Sequence, residues 1–497
     1  MGLILISSVV LLVTFLIIKW FKDQQKTPLP PGPGLLECLK ITWHMMRKND
    51  THLIGEELSR RYGDIFIIRI LSVNTVFLNS SRIMRKVFST SQYRDVTNDR
   101  PPTFFSEYIF YGGKDLTLRN NDDLLVKIRH IIHRSMKMYG DGVKVFEDMV
   151  NSEIELMKNT LQSADNEPTF DLDSALTVSI IRILHIFLTN ETPDNAAEIC
   201  SVIKEYDHFA NVLFNFSNNM VLTLFPWLRC VPGPFRDMYK KMKNVQNRLH
   251  DLYLNDRIKK RLGSHGKGVL AHILAEFEVD DQLNEFYVKS VLGNLVVAGY
   301  LTTKGALSGF FLLMLYYPEV QRRIQEEIDE NIGKERIPSL DDRPVMHYTN
   351  ACILECLRFI GHVPFAVPHR NKIEVEIEGL RIPANSTLIP NMWTMTHSDK
   401  AWDRHDEFLP ERFLGDDGKL LPVDHPLRSR LIPFGTGRRV CVGESFAKSR
   451  IFLFVTLLLQ KFNFSPDKNK LAPLHSSLWK PEAVLHPDFL KCAVRIR

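Results

Sequence analysis

Apolar side chains recur at helical spacing through most of residues 50–346, with few runs that alternate as strands do. Strand signals occur in two stretches rich in Ile and Val. These are residues 65–78, with a turn at 72–74, and residues 373–377, which alternate strictly. We therefore predict a mainly α-helical fold with small β-sheets.

The longest predicted helix covers residues 286–316 and is apolar enough to suggest a membrane span. Asn294 and Lys304 lie inside the run, however, and a lysine at mid-bilayer costs about 2.5–3.5 kcal/mol. Each glycine in a helix costs roughly 1 kcal/mol relative to alanine, so repeated glycines indicate that some group approaches the backbone. We expect a buried flat ligand beside the four glycines, which are Gly293, Gly299, Gly305 and Gly309.

Residues 1–18 contain no charged side chain and, as a helix, nearly span the hydrocarbon core of a bilayer. No basic segment precedes this run and no small-residue cleavage site follows it, which disfavours a secretory signal. By the positive-inside rule, the lysines that follow place the rest of the chain in the cytosol. We predict a membrane anchor at residues 1–20, a basic, proline-rich hinge at 21–34, and one folded domain at 35–497.

The composition is that of a folded protein, with 44% hydrophobic and 24% charged residues. The formal net charge of +5 is spread along the chain without a basic tract, which argues against nucleic-acid binding. Seven scattered cysteines, an odd number, are typical of a reducing compartment. A zinc site at Cys352, Cys356 and His362 is an alternative, but no further closely spaced cysteine pair supports it.

A glycine-rich segment, residues 433–444, presents Cys441 directly before an apolar helix predicted at 444–459. Free backbone N–H groups at the start of that helix, together with Arg438 and Arg439, would favour the thiolate, which is the form that binds iron. A buried free cysteine after a tight turn is the alternative. The spacing argues against it, because Phe-x-x-Gly-x-Arg-x-Cys-x-Gly fits at Phe434, Gly437, Arg439, Cys441 and Gly443.

This pattern resembles the haem-binding signature of cytochrome P450, and the resemblance extends over almost the whole chain. It implies haem b as cofactor, with Cys441 as the only protein ligand of the iron. The two haem propionates then need cationic or hydrogen-bonding partners. The residues to which the resemblance assigns haem contacts are Cys441, Arg439, Arg129, His369, Phe434, Gly435 and Gly443. For Arg129 and His369, an ordinary surface charge is the alternative.

The segment 298–303, Ala-Gly-Tyr-Leu-Thr-Thr, resembles the oxygen-binding stretch of the same family. Its candidate catalytic residues are Ala298, Gly299 and Thr302. Gly299 would leave room over the iron, and the Thr302 hydroxyl would hold a water that supplies protons for cleavage of the O–O bond. A hydrogen bond from Thr302 back to its own helix is the alternative. Leu301 replaces the family's acid, so protons would pass through Thr302, Thr303 and water.

Glu355 and Arg358 match a Glu-x-x-Arg pattern that alone is weak, since an exposed pair at this spacing contributes only about 0.2–0.5 kcal/mol. The later segment 410–413, Pro-Glu-Arg-Phe, resembles the family segment whose arginine joins that pair in a buried triad. We therefore expect Glu355, Arg358 and Arg412 to have a structural role, holding the core near the cysteine loop.

An apolar pocket lining would suit a lipophilic substrate such as a steroid, a fatty acid or an aromatic xenobiotic. The resemblance places the wall near the oxygen-binding stretch and in two aromatic-rich segments. The candidate substrate contacts are Val296, Val297, Phe365, Val367, Phe110 and Phe209. Phe110 and Phe209, from the aromatic-rich segments, could equally belong to the ordinary core, whereas the resemblance places the other four near the haem.

No Gly-x-Gly-x-x-Gly loop or flavin motif occurs in the chain, so it cannot take hydride from a nicotinamide by itself. The resemblance implies O2 and electrons from NADPH, delivered by NADPH-cytochrome P450 reductase, with cytochrome b5 as a further candidate donor. A basic surface would suit such an acidic flavoprotein. The residues expected to form it are Lys127, His130, His133, Arg134, Lys448 and Arg450.

The resemblance therefore implies a monooxygenase that inserts one oxygen atom of O2 into a lipophilic substrate. Residues 113–116, 225–228 and 410–414 look similar to the animal microsomal branch that holds steroid 17-hydroxylases and aryl-hydrocarbon hydroxylases. We expect a single-pass protein of the endoplasmic reticulum membrane with a cytosolic catalytic domain at 35–497. Two alternatives remain, a haem-thiolate isomerase or dehydratase that needs no reductase, suggested by Leu301, and a haem-binding protein without turnover.

Overall fold

The computed structural model describes residues 27–497 apart from 49, 71–72, 140–143, 166, 168, 255–267, 281, 468–470 and 481. The predicted anchor at residues 1–20 lies outside the described residues, as does the first part of the predicted hinge. The rest of the hinge packs onto the body of the protein. Ile67 N–H donates to the Pro31 carbonyl at 2.9 Å, and Arg381 N–H donates to the Pro28 carbonyl at 2.8 Å.

The described chain is mostly helical, as the hydrophobic pattern predicts. Side-chain caps begin several helices, as where the Asn284 side chain accepts a hydrogen bond from Phe286 N–H at 3.1 Å. The helices are α1 (Leu35–Lys48), α2 (Thr51–Tyr62), α3 (Ser81–Ser89), α4 (Asp123–Tyr139), α5 (Lys144–Ser163), α6 (Leu172–Thr189), α7 (Ala196–Phe214), α8 (Phe216–Leu224), α9 (Pro234–Leu254), α10 (Val269–Glu278), α11 (Glu285–Tyr316), α12 (Pro318–Asn331), α13 (His347–Ile360), α14 (Met392–His397), α15 (Pro426–Arg430) and α16 (Glu444–Lys461).

Three small sheets accompany the helices. The strands are β1 (Ile65–Ile70), β2 (Val73–Leu78), β3 (Phe170–Asp171), β4 (His369–Arg370), β5 (Val375–Ile377), β6 (Leu380–Ile382), β7 (Thr387–Pro390), β8 (Phe462–Pro466) and β9 (Lys491–Ile496). One sheet has the order β1-β2-β7-β4, another β3-β9-β8, and β5 pairs with β6. In the first sheet β1 and β2 are antiparallel, with Ile65 opposite Leu78. Both predicted strand regions are present, although β5 starts two residues later than the predicted strand at 373.

The long helix α11 forms the axis of the main core and packs against α6, α7, α13 and α16. By length and composition α6 and α11 could each cross a membrane, but within the described residues both are largely buried in protein. The glycines of α11 admit neighbouring elements of the fold. A Cβ on Gly309 would lie 2.2 Å from Ile360 Cδ1, and one on Gly293 would lie 2.7 Å from the Tyr206 hydroxyl. Helix packing thus explains these two glycines, where the sequence suggested a flat ligand.

Candidate functional site

The segment before α16 folds as a tight loop that fixes the position of Cys441. Gly435 and Gly437 have φ angles of 79° and 72°, in the left-handed region that favours glycine. A Cβ on Gly437 would lie 2.3 Å from the Phe88 carbonyl oxygen, so a larger residue would clash with the backbone. Cys441 N–H donates to the Phe434 carbonyl at 2.8 Å, which closes the loop.

The electrostatic surroundings of Cys441 differ from the expectation. Arg438 pairs with Asp95 at 2.8 Å, and Arg439 donates to the Asn98 carbonyl at 3.0 Å, so neither arginine is engaged with the sulfur. Burial raises the pKa of the Cys441 thiol, while a backbone N–H at Gly443 acts in the opposite direction. The prediction that Arg438 and Arg439 favour the thiolate was therefore wrong.

Arg129 of α4 is the cation whose charge acts on the Cys441 thiol. Its Nη2 donates to the Val440 carbonyl at 2.6 Å, and its charge acts against the rise in the pKa of the Cys441 thiol. Cys441 is exposed, although protein surrounds it closely enough to raise the pKa of its thiol.

Three arginines and a histidine converge beside this loop from distant parts of the chain. Arg100 is buried and donates through Nη1 to the carbonyls of Val367 at 2.7 Å and Pro368 at 2.8 Å. Burial, together with the charges of Arg439 and Arg129, lowers the pKa of Arg100 well below its ordinary value.

His369 and Arg439 are the other two members of this group. His369 lies in strand β4, stacks on Phe88 with ring centroids 3.9 Å apart, and has its Nδ1 3.2 Å from the Thr97 carbonyl. Burial and the charges of Arg100 and Arg439 lower the pKa of His369, so the imidazole is neutral. Arg439 is also buried, and its Nη1 has no hydrogen-bond partner among the described residues.

Asp115 is the carboxylate that acts on both Arg100 and Arg439. Its Oδ1 accepts hydrogen bonds from the backbone N–H groups of Thr117 at 2.6 Å and Leu118 at 2.7 Å, while its Oδ2 has no partner in the described ranges of the chain. Burial raises the pKa of Asp115 to about 6. Burial lowers the pKa of Arg100 and of Arg439, and an anionic group beside them would offset the cost of burying their charges.

The middle of α11 presents one accessible face within an otherwise buried helix. Ala298 is exposed and Val297 and Thr302 are partly exposed, whereas Leu301 is buried in the main core. The Thr302 hydroxyl donates to the Ala298 carbonyl at 2.6 Å, which is the back-bonded arrangement considered from the sequence. Thr302 thus reaches the open face of the helix, and the side chain that replaces the family's acid does not.

Thr303 is turned into the protein. It is buried, and its hydroxyl accepts a hydrogen bond from Arg450 Nη2 at 2.8 Å. Two expectations therefore need correction. Thr303 is committed to Arg450, which removes it from the expected proton route, and Arg450 is 2% exposed, which removes it from the expected basic surface. The helical spacing of α16 could not show that Arg450 is buried, because neighbouring elements cover this helix on nearly every side.

Other members of the expected basic surface are accessible but paired. Lys127 forms an ion pair with Asp280, Arg134 pairs with Glu276 at 2.7 Å, and Lys448 pairs with Glu444 at 2.5 Å. The local surface is accordingly less positive than a count of its basic residues indicates.

The expected structural triad is in contact. Arg358 donates to both oxygens of Glu355, at 2.7 and 2.8 Å, and both side chains are fully buried. Arg412 Nε lies 3.2 Å from Glu355 Oε1. Arg358 also donates to the carbonyls of Thr396, His405 and Glu407, so the triad holds α13 against the segment that leads to the cysteine loop.

Five of the six candidate substrate contacts lie in or against the main core, and Phe365 lies in a separate cluster. Val297, Val367 and Phe209 are partly buried against the main core, and Phe110 lies fully within it, 3.4 Å from a Cβ placed on Gly293. Val296 is completely buried.

Phe365 points elsewhere. Its ring packs in a separate cluster beside the first sheet, with its centroid 6.2 Å from that of Phe77. The prediction that Phe365 is a substrate contact therefore has no support in its contacts.

A zinc site has no support either. Among the described residues, no group of three or more His, Cys, Asp and Glu side chains could hold a metal ion. Cys356 contacts the Ala306 carbonyl at 3.9 Å and His362 packs against Gly305, so these side chains belong to the core.

The cytochrome P450 family profile matches residues 30–489. The chain belongs to the cytochrome P450 family. It is 27% identical to the steroid 17-alpha-hydroxylase/17,20 lyase of Gallus gallus, over 99% of this chain and 97% of that protein. It is 28% identical to cytochrome P450 1A1 of Homo sapiens, over 93% of this chain and 92% of that protein.

A solved structure of a zebrafish cytochrome P450 with progesterone has the same fold, with a TM-score of 0.75 and 24% identity over 90% of this chain and 99% of that chain. The predicted family and the mainly helical fold with small sheets are confirmed. The relatives include named hydroxylases, which are monooxygenases, and the predicted enzyme class, a cytochrome P450 monooxygenase, is confirmed as well.

The residues beside the cysteine loop of this P450 fit a haem. The positive charges of Arg100, Arg129 and Arg439 suit the propionates that a haem carries, and Arg439 Nη1 is a buried donor without a partner among the described residues. The loop backbone around Cys441 leaves its sulfur accessible at the same place. The residues that would hold the haem are therefore one thiol and a group of cationic side chains beside it.

Sequence reasoning missed Arg100. It lies outside every motif, 29 positions before Arg129 on a segment without regular structure, so no spacing rule points to it. The structure shows that the run 97–100, Thr-Asn-Asp-Arg, is polar and yet buried, and the sequence alone does not show that burial. Such a buried polar run indicates a site where side chains are held for a ligand or a network.

Proposed function

We propose that this cytochrome P450 uses haem b, held by Cys441, to insert one oxygen atom of O2 into a lipophilic substrate with electrons from NADPH. The observation that carries the proposal is the conjunction of an accessible cysteine in a glycine-rich loop with two buried arginines, a partly buried one and a neutral histidine beside it. When bound, the haem supplies the redox chemistry of O2 activation through its thiolate-ligated iron.

The protein's own residues would then orient and protect that chemistry. Arg100, Arg129, Arg439 and His369 would hold the propionates through charge and hydrogen bonds. The accessible face of α11 at Ala298 and Gly299 would border the reacting atoms. Thr302 would hold a water there and pass protons, since its hydroxyl is the polar side-chain group on that face.

A lipophilic substrate is supported by the wall and by the relatives. Val297, Val367 and Phe209 are apolar and partly exposed. Relatives at 26–27% identity are named steroid 17-alpha-hydroxylase/17,20 lyase or vitamin D(3) 25-hydroxylase, so a steroid or secosteroid skeleton is the first class to test. Fatty acids and aromatic xenobiotics are the next classes.

We also propose an endoplasmic reticulum membrane location with a cytosolic catalytic domain. An exposed apolar surface of α1 and the segment after α8 supports membrane contact, because it brings large side chains together on one side. Its members are Leu35, Leu36, Leu39, Trp43, Leu224, Phe225, Trp227 and Val231. NADPH-cytochrome P450 reductase would supply electrons, with cytochrome b5 as a further candidate.

The test uses the purified full chain with reductase in excess and a panel of steroids, fatty acids and aromatic compounds. We expect a red-shifted thiolate-type Soret band for the reduced carbon monoxide complex, substrate-induced spectral shifts, and oxygenated product that requires both NADPH and reductase. A chain that binds no haem would contradict the proposal.

A second candidate, a haem-thiolate isomerase or dehydratase, is favoured by Leu301, which is 5% exposed and places no acid on the open face of α11. Such an enzyme needs no external electrons. Conversion of substrate in the absence of both NADPH and reductase would identify it, and strict dependence on both would exclude it.

A further inference from the structure

Arg450 is a buried cation without an ionic partner among the described residues. It lies on α16, is 2% exposed, and has burial as the only influence on its pKa, which falls to about 9. It is therefore still charged at neutral pH. Within the part of the chain that the structure describes, no carboxylate acts on it, and its Nε and Nη1 have no hydrogen-bond partner. A buried arginine of this kind costs stability, and that cost calls for a reason.

The surroundings of Arg450 are apolar on one side and belong to the oxygen-binding stretch on the other. Its guanidinium lies 4.0 Å from the ring centroid of Phe446, which stacks on Phe187 of α6. Its Nη2 donates to the Thr303 hydroxyl at 2.8 Å and approaches the Gly299 carbonyl at 3.3 Å. The charge is thus fixed behind the same turn of α11 whose open face carries Thr302.

Arg450 is also close along the chain to the candidate iron ligand. It lies on the second turn of α16, the helix that begins three residues after Cys441. A positive charge held in an apolar setting is poorly screened, so it acts over a longer distance than a surface charge does. Adding an electron to a nearby group would be favoured by such a charge.

We propose that Arg450 is a positioning residue that favours the reduced state of the haem iron by fixing a positive charge behind residues 299–303. The inference rests on the proposed function, because it requires haem at Cys441. It assigns a role to a residue that the sequence placed on the outer surface.

The experiment is a redox titration of the haem-loaded full chain, followed by its absorbance spectrum. Arg450→Met and Arg450→Gln both remove the charge, and Gln keeps a donor for Thr303. We expect both variants to shift the midpoint potential to more negative values, and Arg450→Lys to remain near wild type at acidic pH, where a buried lysine keeps its proton. Lys461→Met is the matched control, since it removes one positive charge from the accessible end of the same helix.

A wild-type potential in Arg450→Gln, with the thiolate-type carbon monoxide band intact, overturns the proposal. An equal shift in Lys461→Met overturns it as well, because the effect would then be one of net charge. If Arg450→Met does not fold, Arg450→Lys decides the question. Burial lowers the pKa of a lysine, so its potential should fall more steeply than that of wild type as the pH rises. The titration does not depend on product formation, so failure of the proposed function would appear separately, as absence of haem or of product.

Discussion

At the scale of single residues, the cysteine loop depends on backbone geometry more than on its neighbouring charges. Because Gly437 has no side chain, the loop can lie against the Phe88 carbonyl. The hydrogen bond from Cys441 N–H to the Phe434 carbonyl fixes the direction of the cysteine. Arg438 and Arg439 are engaged elsewhere. The geometry of the loop, and not a depressed thiol pKa, therefore distinguishes Cys441 from the other cysteines.

The first prediction concerns the identity of the ligand. Cys441→Ser should abolish the red-shifted Soret band of the reduced carbon monoxide complex, because serine supplies no thiolate. Cys356→Ser is the matched control, since Cys356 is a buried cysteine that contacts the Ala306 carbonyl. Loss of the band in folded Cys356→Ser together with its retention in Cys441→Ser would contradict the assignment.

The second prediction concerns Thr302. Thr302→Ala should lower the amount of product formed per NADPH severalfold and should raise peroxide release, because the variant loses the hydroxyl that would pass protons. The measurement is the ratio of product and peroxide to NADPH, with reductase in excess. Leu301→Glu is the comparison. Because Leu301 is buried, the introduced acid should remain protonated and leave the ratio close to that of wild type. An unchanged ratio in Thr302→Ala would remove this residue from the proton route.

The same residues show how far sequence reasoning reaches. Motifs with fixed spacing identified Cys441 and predicted the contact between Glu355 and Arg358, because these features depend on one loop and one helix turn. Arg100 was missed and Arg450 was placed on the surface, since both positions depend on which distant elements pack around them. Local spacing carries no information about that packing.

At the scale of elements, α7, α11 and the C-terminal segment meet at a small group of charges. Asp207 of α7 faces Glu482, Lys304 and His486, and burial, then Glu482, raises its pKa to about 7. Lys304 also pairs with Asp173 of α6 at 3.2 Å, and His486 lies 3.6 Å from Glu482. The protonation of Asp207 is therefore coupled to the packing of helices beside the open face of α11.

The third prediction follows from that coupling. Because native Asp207 holds its proton more tightly than the unfolded chain does, this carboxyl contributes stability that is complete below about pH 4 and is lost as the pH rises through about 7. Asp207→Asn should therefore stabilise the protein by about 2 kcal/mol more at pH 8 than at pH 5.5. Denaturant unfolding of the haem-loaded protein, followed by circular dichroism, measures the difference. Equal effects at both pH values would show that Asp207 does not titrate in this range.

Elements were predictable where their pattern is local. The helical spacing gave α11 within one residue at its start, and the Ile- and Val-rich stretch gave β1 and β2. The glycines of α11 were read as room for a ligand, whereas Gly309 admits Ile360 of α13. Which partner approaches a glycine is decided by the tertiary fold, so the sequence could show only that some group does.

At the scale of the whole molecule, the folded body that follows the predicted anchor carries an exposed apolar surface of its own. The predicted anchor precedes the described residues, and the exposed apolar side chains of α1 and the segment 224–231 form one surface. Ser217 of α8 donates to the Met46 carbonyl of α1 at 2.6 Å, which holds the two parts of that surface together. The surface therefore belongs to the folded body and does not depend on the anchor.

Topology can be tested independently of membrane affinity. If the body is cytosolic, the glycosylation sequons remain unmodified in animal cells. Glycosidase-sensitive mobility of the full chain would contradict this topology. The sequons are those at Asn49, Asn79, Asn190, Asn215 and Asn385.

The last prediction separates the anchor from the apolar surface. Deleting residues 1–25 should weaken membrane binding without loss of the haem spectrum, because the deletion lies before the described body. The truncated protein should still bind liposomes through the surface, so adding Leu36→Ser and Trp227→Ser should reduce its co-sedimentation severalfold. Val279→Ser with Val423→Ser is the matched control, since these valines are 84% and 74% exposed elsewhere. If the control pair lowers binding as much, general hydrophobicity and not this surface carries the residual affinity.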